Sequence, residues 1–184
     1  MGVSSAEDLR TKLKEHLSSA IQTGEVTLAS GRTTDFYFDG RLVTLDPEGL
    51  AIVSELCVER LRGLCEAVGG PSAGADPMVA GIGLAARGHD WPLRLFFTRK
   101  EAKAYGMQRR WEGPPLQEGD RAVIVDDVAT SGGSLIRSAE VIRTETPATV
   151  TQALVIVDRE EGATEALKEA GIELLSLFRK SDFM

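Results

Sequence analysis

The sequence feature that most constrains the fold is a continuous apolar run that ends in two adjacent acids. Val123, Ile124 and Val125 lead directly into Asp126 and Asp127, and a turn of hydroxyl and glycine residues then leads into a helical segment. An unbroken apolar strand of this kind is typical of a parallel sheet that is covered on both faces. Ligands of such sheets lie beyond the carboxyl ends of the strands, so the two acids are predicted to lie at a binding site.

Strands and helices alternate through the chain, which predicts an α/β fold with a doubly wound, mainly parallel sheet. A first helix follows a capping box at Ser5 and Asp8, presents one apolar face from Leu9 to Ile21 and ends at Gly24. Residues 99–119 have no clean period and are predicted to form a long loop. The other predicted strands are 67–70, 93–98, 122–125, 150–157 and 174–178, and the other helices begin near residues 46, 79, 134 and 163.

Bulk composition restricts the classes of function. The chain has 184 residues, which suits a single domain over 1–184, and its 21 basic and 28 acidic residues give a net charge of −7. It is therefore not expected to bind nucleic acid or an anionic membrane through its overall charge. No membrane span or secretory signal is predicted. Cys57 and Cys65 are predicted to be buried thiols, and a cytoplasmic location is expected.

The turn after the two acids has the chemistry of a phosphate site. Adjacent carboxylates can hold ribose hydroxyls, or waters around a hard cation such as Mg²⁺. The residues Thr130, Ser131, Gly132, Gly133 and Ser134 precede a helix, whose free N–H groups and positive dipole end bind phosphate. The alternative is an acidic helix entry with ordinary Ser and Gly capping. A separate G-x-G-x-x-A match at residues 81–86 is weak, since no convincing strand precedes it.

Residues 123–134 resemble the phosphoribosyl-pyrophosphate (PRPP) motif of type I phosphoribosyltransferases. Thr98 and the Arg-Lys-Glu-Ala-Lys string that follows it resemble the mobile catalytic loop of orotate phosphoribosyltransferases. The alternative for this string is a solvated basic loop. The resemblance runs from about residue 24 to the end of the chain. It implies a type I phosphoribosyltransferase fold, with a small N-terminal hood within residues 1–45 and a flexible catalytic loop at 99–119.

The resemblance implies transfer of the phosphoribosyl group from PRPP to orotate, giving orotidine 5′-phosphate and pyrophosphate in pyrimidine biosynthesis. The catalytic residues it implies are Lys103, Arg99, Lys100, Asp126 and Asp127, and Lys103 is expected to have the largest effect. The PRPP-binding residues it implies are these five with Tyr105, Val128, Ala129, Thr130, Ser131, Gly132, Gly133, Ser134 and the backbone of Ala73, Gly74 and Ala75.

Three further segments agree with orotate as the base. Residues 30–39 are similar to the orotate segment of the family, residues 157–162 to the strand exit whose arginine faces orotate, and residues 177–183 to the family's ending. The implied orotate-binding residues are Tyr37, Phe38, Thr130, Arg159 and Arg32. Core packing of the aromatic residues and a surface ion pair at Arg159 are the alternatives. A guanidinium there can pair bidentately with a carboxylate.

The sequence departs from the family's pattern at three places. Ala29 stands where many members have a lysine, and Arg32 or Arg41 could supply that charge. The loop from Pro71 to Pro77 lacks the lysine found in many bacterial members. Tyr105 replaces the common loop histidine, and a tyrosine adds no positive charge at neutral pH.

The resemblance also implies Mg²⁺ as cofactor and a homodimer in which the loop serves the neighbouring subunit. Two alternatives stay open: a phosphoribosyltransferase for a purine or another nucleobase, and a non-catalytic regulator of the same fold. Residues 99–110 carry five basic side chains and one acidic side chain within an otherwise acidic chain. That distribution favours a small polyphosphate, held by Mg²⁺ and a closing loop, over a phosphate polymer.

Overall fold

A computed structural model describes residues 5–27, 33–101 and 109–184 of the chain. Its helices are α1 (Ala6–Ala20), α2 (Arg41–Thr44), α3 (Pro47–Leu61), α4 (Asp76–Gly88), α5 (Gly133–Glu145) and α6 (Ala163–Glu169). Its strands are β1 (Ile21–Thr27), β2 (Thr33–Phe38), β3 (Ala67–Pro71), β4 (Arg94–Thr98), β5 (Trp111–Glu112), β6 (Arg121–Ala129), β7 (Thr149–Asp158) and β8 (Glu173–Arg179), and a 3₁₀ turn (Lys180–Asp182) follows.

Strand order gathers the strand exits on one edge of a six-stranded sheet. The order is β5-β4-β3-β6-β7-β8, and every neighbouring pair is parallel except β4 with β5. Pro71 lies in register with Thr98, and Ala129 lies in register with Asp158. The connections run outward in opposite directions from β3 and β6, and such a switch point is where ligands bind in open α/β sheets.

Helices cover both faces of the sheet, as the unbroken apolar strand predicts. Val123 and Val125 pack with α1, α3 and α4 on one face, whereas Ile124 packs with α5 and α6 on the other. All three side chains are buried. The doubly wound architecture therefore follows from alternation along β6, which turns successive apolar side chains to opposite cores.

The N-terminal segment confirms the predicted capping box but ends its helix earlier than predicted. Ser5 and Asp8 exchange hydrogen bonds across the first turn of α1. The chain leaves the helix at Ala20, and β1 then pairs antiparallel with β2. The prediction that the helix ends at Gly24 was wrong, because Ile21 and the residues after it find a strand partner; Gly24 lies within β1 at a φ of +101°.

The predicted long loop at 99–119 also contains a short strand. Trp111 and Glu112 form β5, which pairs with the end of β4, and Trp111 is buried. Leu116 is buried as well. Apolar packing against the sheet therefore overrides the loop-like composition in the second half of the segment, and residues 102–108 lie outside the described residues.

Both cysteine predictions are confirmed: Cys57 and Cys65 are free and buried. Burial raises the pKa of the Cys65 thiol to about 12, so this thiol is inert as a nucleophile at neutral pH. Among the described helices, none combines the length and the apolar character that a bilayer crossing requires.

A substitution at Gly70 would test whether β3 must approach β6 as closely as the structure shows. A Cβ at this position would overlap the carbonyl oxygen of Val125 and lie 2.6 Å from the Cβ of Ala75. We expect Gly70→Ala to lower the free energy of unfolding by about 3 kcal/mol, since backbone atoms cannot yield as a flexible side chain can. Gly88→Ala is the control, because a Cβ there meets nothing within 4 Å. Equal denaturant midpoints for the two variants would contradict the prediction.

Candidate active site

The acidic pair, Asp126 and Asp127, lies in the last residues of the central strand β6. Asp126 is nearly buried, and its carboxylate accepts hydrogen bonds from the Asp127 backbone N–H at 3.1 Å and from the Ser134 hydroxyl at 3.3 Å. Strand β6 is longer than predicted and continues to Ala129. The Ser134 bond therefore connects the acidic strand end to the first turn of α5.

Burial makes this pair reluctant to hold two negative charges. Desolvation and the neighbouring Asp127 carboxylate raise the pKa of Asp126 to about 7. Desolvation also raises the pKa of Asp127. A cation or a set of hydroxyl donors at this strand end would relieve the desolvation of the charged forms, so the pair is electrostatically prepared for a polar or cationic ligand.

Two glycines let other segments close on the acids. A Cβ on Gly40 would overlap the Asp127 carboxylate, and a Cβ on Gly74 would lie 3.1 Å from the carboxylate of Asp126. Gly40 belongs to the N-terminal hood, and Gly74 lies in the turn after β3. The hood backbone therefore reaches the acids only because residue 40 has no side chain.

The predicted phosphate turn forms an uncapped helix start. Gly132 is the N-cap of α5 at a φ of +77°, no side chain of the described residues caps the helix, and its first turn contains no acid. The first N–H groups of a helix have no partner within it, so the amides that follow Gly132 are available to an anion. Residues 130–134 and Asp126 thus lie together, as the sequence predicts.

A cleft of about 190 Å³ lies between the exits of β3 and β4 and the side of α5. Arg99 lines it and donates to Glu112 at 2.7 Å, and Arg110 lines it and donates to Glu145 at 2.7 Å. Basic and hydroxyl side chains dominate its wall: Ser72, Thr98, Arg99, Lys100, Arg110, Ser134, Arg137 and Ser138. Arg110 is one of the five basic residues of the segment 99–110 that the sequence singles out, whereas Arg137 could not be predicted, because its link to the turn is spatial and follows no local pattern.

The turn after β3 agrees only in part with its predicted role. The Ala75 N–H already donates to the Pro71 carbonyl at 3.1 Å, so it is used within the turn. The Ala73 and Gly74 amides have no hydrogen-bond partner among the described residues. These two amides are the ones in this turn that an anion can reach.

Arg159 joins the exit of β7 to the hood. Its Nη2 donates to the Thr34 hydroxyl at 3.0 Å and to the Phe36 carbonyl at 2.9 Å, and lies 2.8 Å from Glu161. The residue is 9% exposed, and its Nε is buried without a hydrogen-bond partner among the described residues. The arginine is therefore more than a surface ion pair, and its unpartnered Nε points to a missing acceptor.

Alternation along β2 separates the two aromatic residues predicted to contact orotate. Phe36 and Phe38 are buried in the core, whereas Tyr37 lies on the other face and is partly exposed. Tyr37 is thus the aromatic side chain of this strand that can contact a ligand, whereas Phe36 and Phe38 would first have to leave the core. Arg32, Lys103 and Tyr105 lie outside the described residues, as does Ala29.

Comparison with known proteins assigns the family. A model of the phosphoribosyl transferase domain family matches residues 88–172. The orotate phosphoribosyltransferase of Rhodopseudomonas palustris (strain BisB5) is 44% identical over 165 residues, which cover 88% of this chain and 88% of that protein. The chain belongs to the orotate phosphoribosyltransferase family. The predicted family is thereby confirmed.

Two crystal structures of the Mycobacterium tuberculosis H37Rv orotate phosphoribosyltransferase share this fold. The one in complex with Fe(III) dicitrate has a TM-score of 0.82 and 34% identity, over 95% of this chain and 98% of that chain. The one in complex with PRPP has a TM-score of 0.78 and 28% identity over the same shares. The predicted fold class is confirmed, and the chain is an enzyme of the glycosyltransferase type.

The donor set suits a cation that arrives with a ligand. Among the described residues, no group of three or more His, Cys, Asp or Glu side chains could hold a metal ion by itself. Asp126 and Asp127 are two neighbouring carboxylates at the strand end. Mg²⁺ commonly takes one or two carboxylates and completes its shell with water and substrate phosphates, so these residues fit a substrate-borne Mg²⁺.

The raised pKa of Asp126 predicts a specific pH dependence of stability. The unfolded acid ionises near its ordinary value of 3.8 and the folded acid near 7, so the folded state keeps a proton that the unfolded state releases. We expect the wild-type free energy of unfolding to fall, relative to Asp126→Asn, as pH rises from about 4 to about 7, and the difference to level off above that. Denaturant titrations of the metal-free protein would measure it.

Glu66→Gln is the control for this titration. The Arg121 guanidinium lowers the pKa of Glu66 to about 2, so the stability that this carboxylate contributes is lost only as pH falls below its ordinary range. The difference between Glu66→Gln and wild type should therefore stay constant from about pH 5.5 to 8. A constant difference in the free energy of unfolding between Asp126→Asn and wild type from about pH 4 to about 7 would refute the prediction for Asp126.

Proposed function

We propose that the chain transfers the phosphoribosyl group of PRPP to N1 of orotate, in the biosynthesis of pyrimidine nucleotides. The bond between C1′ and the pyrophosphate oxygen breaks, the bond between C1′ and N1 forms, and the N1 proton is released to pyrophosphate or water, so the products are orotidine 5′-phosphate and pyrophosphate. The observation that carries the proposal is the shared strand edge: acids, an uncapped helix start and a buried arginine lie there side by side. A phosphoribosyl donor and an anionic base need such partners together.

The phosphoribosyl half of the substrate suits the β6 exit. The amides and hydroxyls from Thr130 to Ser134 are proposed to hold the 5′-phosphate, because an uncapped helix start is a good anion site. Asp126 and Asp127 are proposed to accept hydrogen bonds from the ribose hydroxyls. Val128 and Ala129 supply backbone between the two groups. The Ser134 hydroxyl donates to Asp126 and thereby holds the start of α5 against the acidic end of β6.

The site must also bind the pyrophosphate leaving group. C1′ passes through a transition state like an oxocarbenium ion, so rate depends on positioning and on charge stabilisation at the leaving group. The Ala73 and Gly74 amides, Arg99, Lys100 and the loop residues Lys103 and Tyr105 are proposed to bind it. Mg²⁺, held mainly by PRPP and water within reach of Asp126 and Asp127, supplies further positive charge when bound.

The orotate half suits the gap between the hood and the β7 exit. Arg159 is proposed to pair with the negatively charged base through its guanidinium. Tyr37 is proposed to stack on the pyrimidine ring, with Thr130 and Arg32 as further contacts. Phe38 supports this contact from the core rather than from the ligand face.

We further propose a homodimer in which the loop of one subunit serves the site of the other. The support is the resemblance of residues 98–106 to the family's catalytic loop, which serves the neighbouring subunit in that family. No side chain is required as a nucleophile.

The direct test is turnover. With PRPP and Mg²⁺, we expect the chain to consume orotate, followed by the loss of its absorbance, and to release pyrophosphate in equal amount. Asp127→Asn should lose most of the activity, and Glu66→Gln at the opposite edge of the sheet should keep it. Turnover of a purine or of uracil but not of orotate would replace the proposed base, and no turnover with any base would favour a non-catalytic regulator.

A mixing experiment tests the shared site. Lys103→Ala should lower kcat by about 10²–10³-fold, as the loss of one transition-state contact does. Mixed with Asp127→Ala, it should regain about a quarter of the wild-type rate, since hybrid dimers would hold one intact site. Lys168→Ala, on the exposed side of α6, is the charge-matched control and should leave kcat unchanged. A mixture no faster than its components would argue against a loop that serves the neighbour.

A further inference from the structure

The first half of β2 is held by two separate elements. Arg159 donates to the Thr34 hydroxyl and the Phe36 carbonyl from the exit of β7. Lys180, from the 3₁₀ turn after β8, donates to the Asp35 carboxylate at 2.7 Å. Three consecutive residues of β2 are thus held by two cations: Thr34 and Phe36 by Arg159, and Asp35 by Lys180, which lies four residues before the end of the chain.

The C-terminal turn is itself fixed to the base site. The Ser181 N–H donates to the carboxylate of Glu160 at 2.8 Å, and Glu160 directly follows Arg159. The Lys180 ammonium also lies 5.8 Å from the centre of the Phe36 ring. We call the residues Asp35, Glu160, Lys180 and Ser181 the C-terminal clasp.

The clasp matters because β2 is not part of the main sheet. It pairs with β1 in a separate two-stranded sheet, so no backbone ladder holds it against the exit of β7. Core packing of Phe36 and Phe38 fixes the end of the strand, whereas the start depends on polar contacts. If Arg159 were the only such contact, binding an anionic base would compete with holding the strand.

We propose that the Lys180–Asp35 ion pair is a positioning device for the base site, which keeps β2 and Tyr37 in place while Arg159 engages the substrate. Lys180 acts through Asp35 and β2, so it is a positioning residue and does not touch the base. The side chain of Lys180 is 19% exposed and that of Asp35 is 65% exposed, so the lysine stem packs against the protein while its ammonium pairs with Asp35 at the surface. This inference rests on the proposed function, because it assigns the effect to the orotate half of the site.

The test separates the base from the phosphoribosyl donor. Lys180→Met keeps an apolar stem beside Phe36 and removes the charge. We expect it to raise the KM for orotate by about 3- to 5-fold, the upper end of the range open to an exposed ion pair, and to leave kcat and the KM for PRPP within about 2-fold. Asp35→Asn should have the same effect, the double variant should be no worse than either single variant, and Lys180→Arg should restore the KM.

Arg121→Met is the matched control. Arg121 pairs with Glu66 at 2.7 Å at the opposite edge of the sheet, and its loss should not change either KM. An unchanged KM for orotate in Lys180→Met, an equal rise in both KM values, or additive effects in the double variant would overturn the proposal. A large fall in Tm that accompanies the KM change would assign Lys180 a purely structural role and would also overturn it.

Hydrogen exchange keeps the two proposals distinguishable. Amides 33–36 should exchange faster in Lys180→Met than in wild type, while those of β6 stay unchanged. A wild-type chain that does not turn over orotate would refute the proposed function. In that case, unchanged exchange at residues 33–36 would refute the clasp, and faster exchange there would uphold its hold on β2.

Discussion

Two carboxylates buried at the end of a central strand are the constraint on which the rest of the site depends. Asp126 and Asp127 sit where β6 leaves the sheet, and burial raises the pKa of both. Removing such groups from water costs stability, which the surroundings recover only in part through the Ser134 hydroxyl and a backbone amide. The structure tolerates this cost at the point where a polyhydroxylated, cation-bearing substrate would supply the missing partners. A strand end built for stability alone would carry apolar residues there.

The site divides into two electrostatic halves around that pair. On the β3 and β4 side, basic side chains and hydroxyls line the cleft, and two of the basic groups, Arg99 and Arg110, are already paired with Glu112 and Glu145. On the β7 side, one buried arginine dominates, and its Nε has no hydrogen-bond partner in the part of the chain that the structure describes. The first half suits a highly charged leaving group that must come and go, because its cations are held in place by partial neutralisation. The second half suits a single, oriented contact with a flat anionic ring.

Sequence reasoning reached the parts of the site that are contiguous in the chain. The acids and the hydroxyl turn from Asp126 to Ser134 form one local pattern, so a phosphate and ribose site can be predicted there from the sequence alone. Gly40 and Arg137 could not be found that way, because their importance comes from what lies beside them in space. The β1–β2 hairpin was missed for a different reason: Ile21 continues the helical spacing of α1, and only the partner strand decides the outcome. The short strand at Trp111 was missed because two residues carry no period.

The close approach of Gly40 to Asp127 also affects the charge of that acid. The backbone of Gly40 lies directly against the Asp127 carboxylate with no intervening side chain, so the hood covers one side of an acid that is otherwise partly exposed. The hood therefore contributes to the desolvation that raises the pKa of Asp127. A displacement of the N-terminal segment that exposed this carboxylate to water would lower its pKa toward the ordinary value. The segment proposed to contact orotate thereby also influences the charge of the acids proposed to bind the ribose.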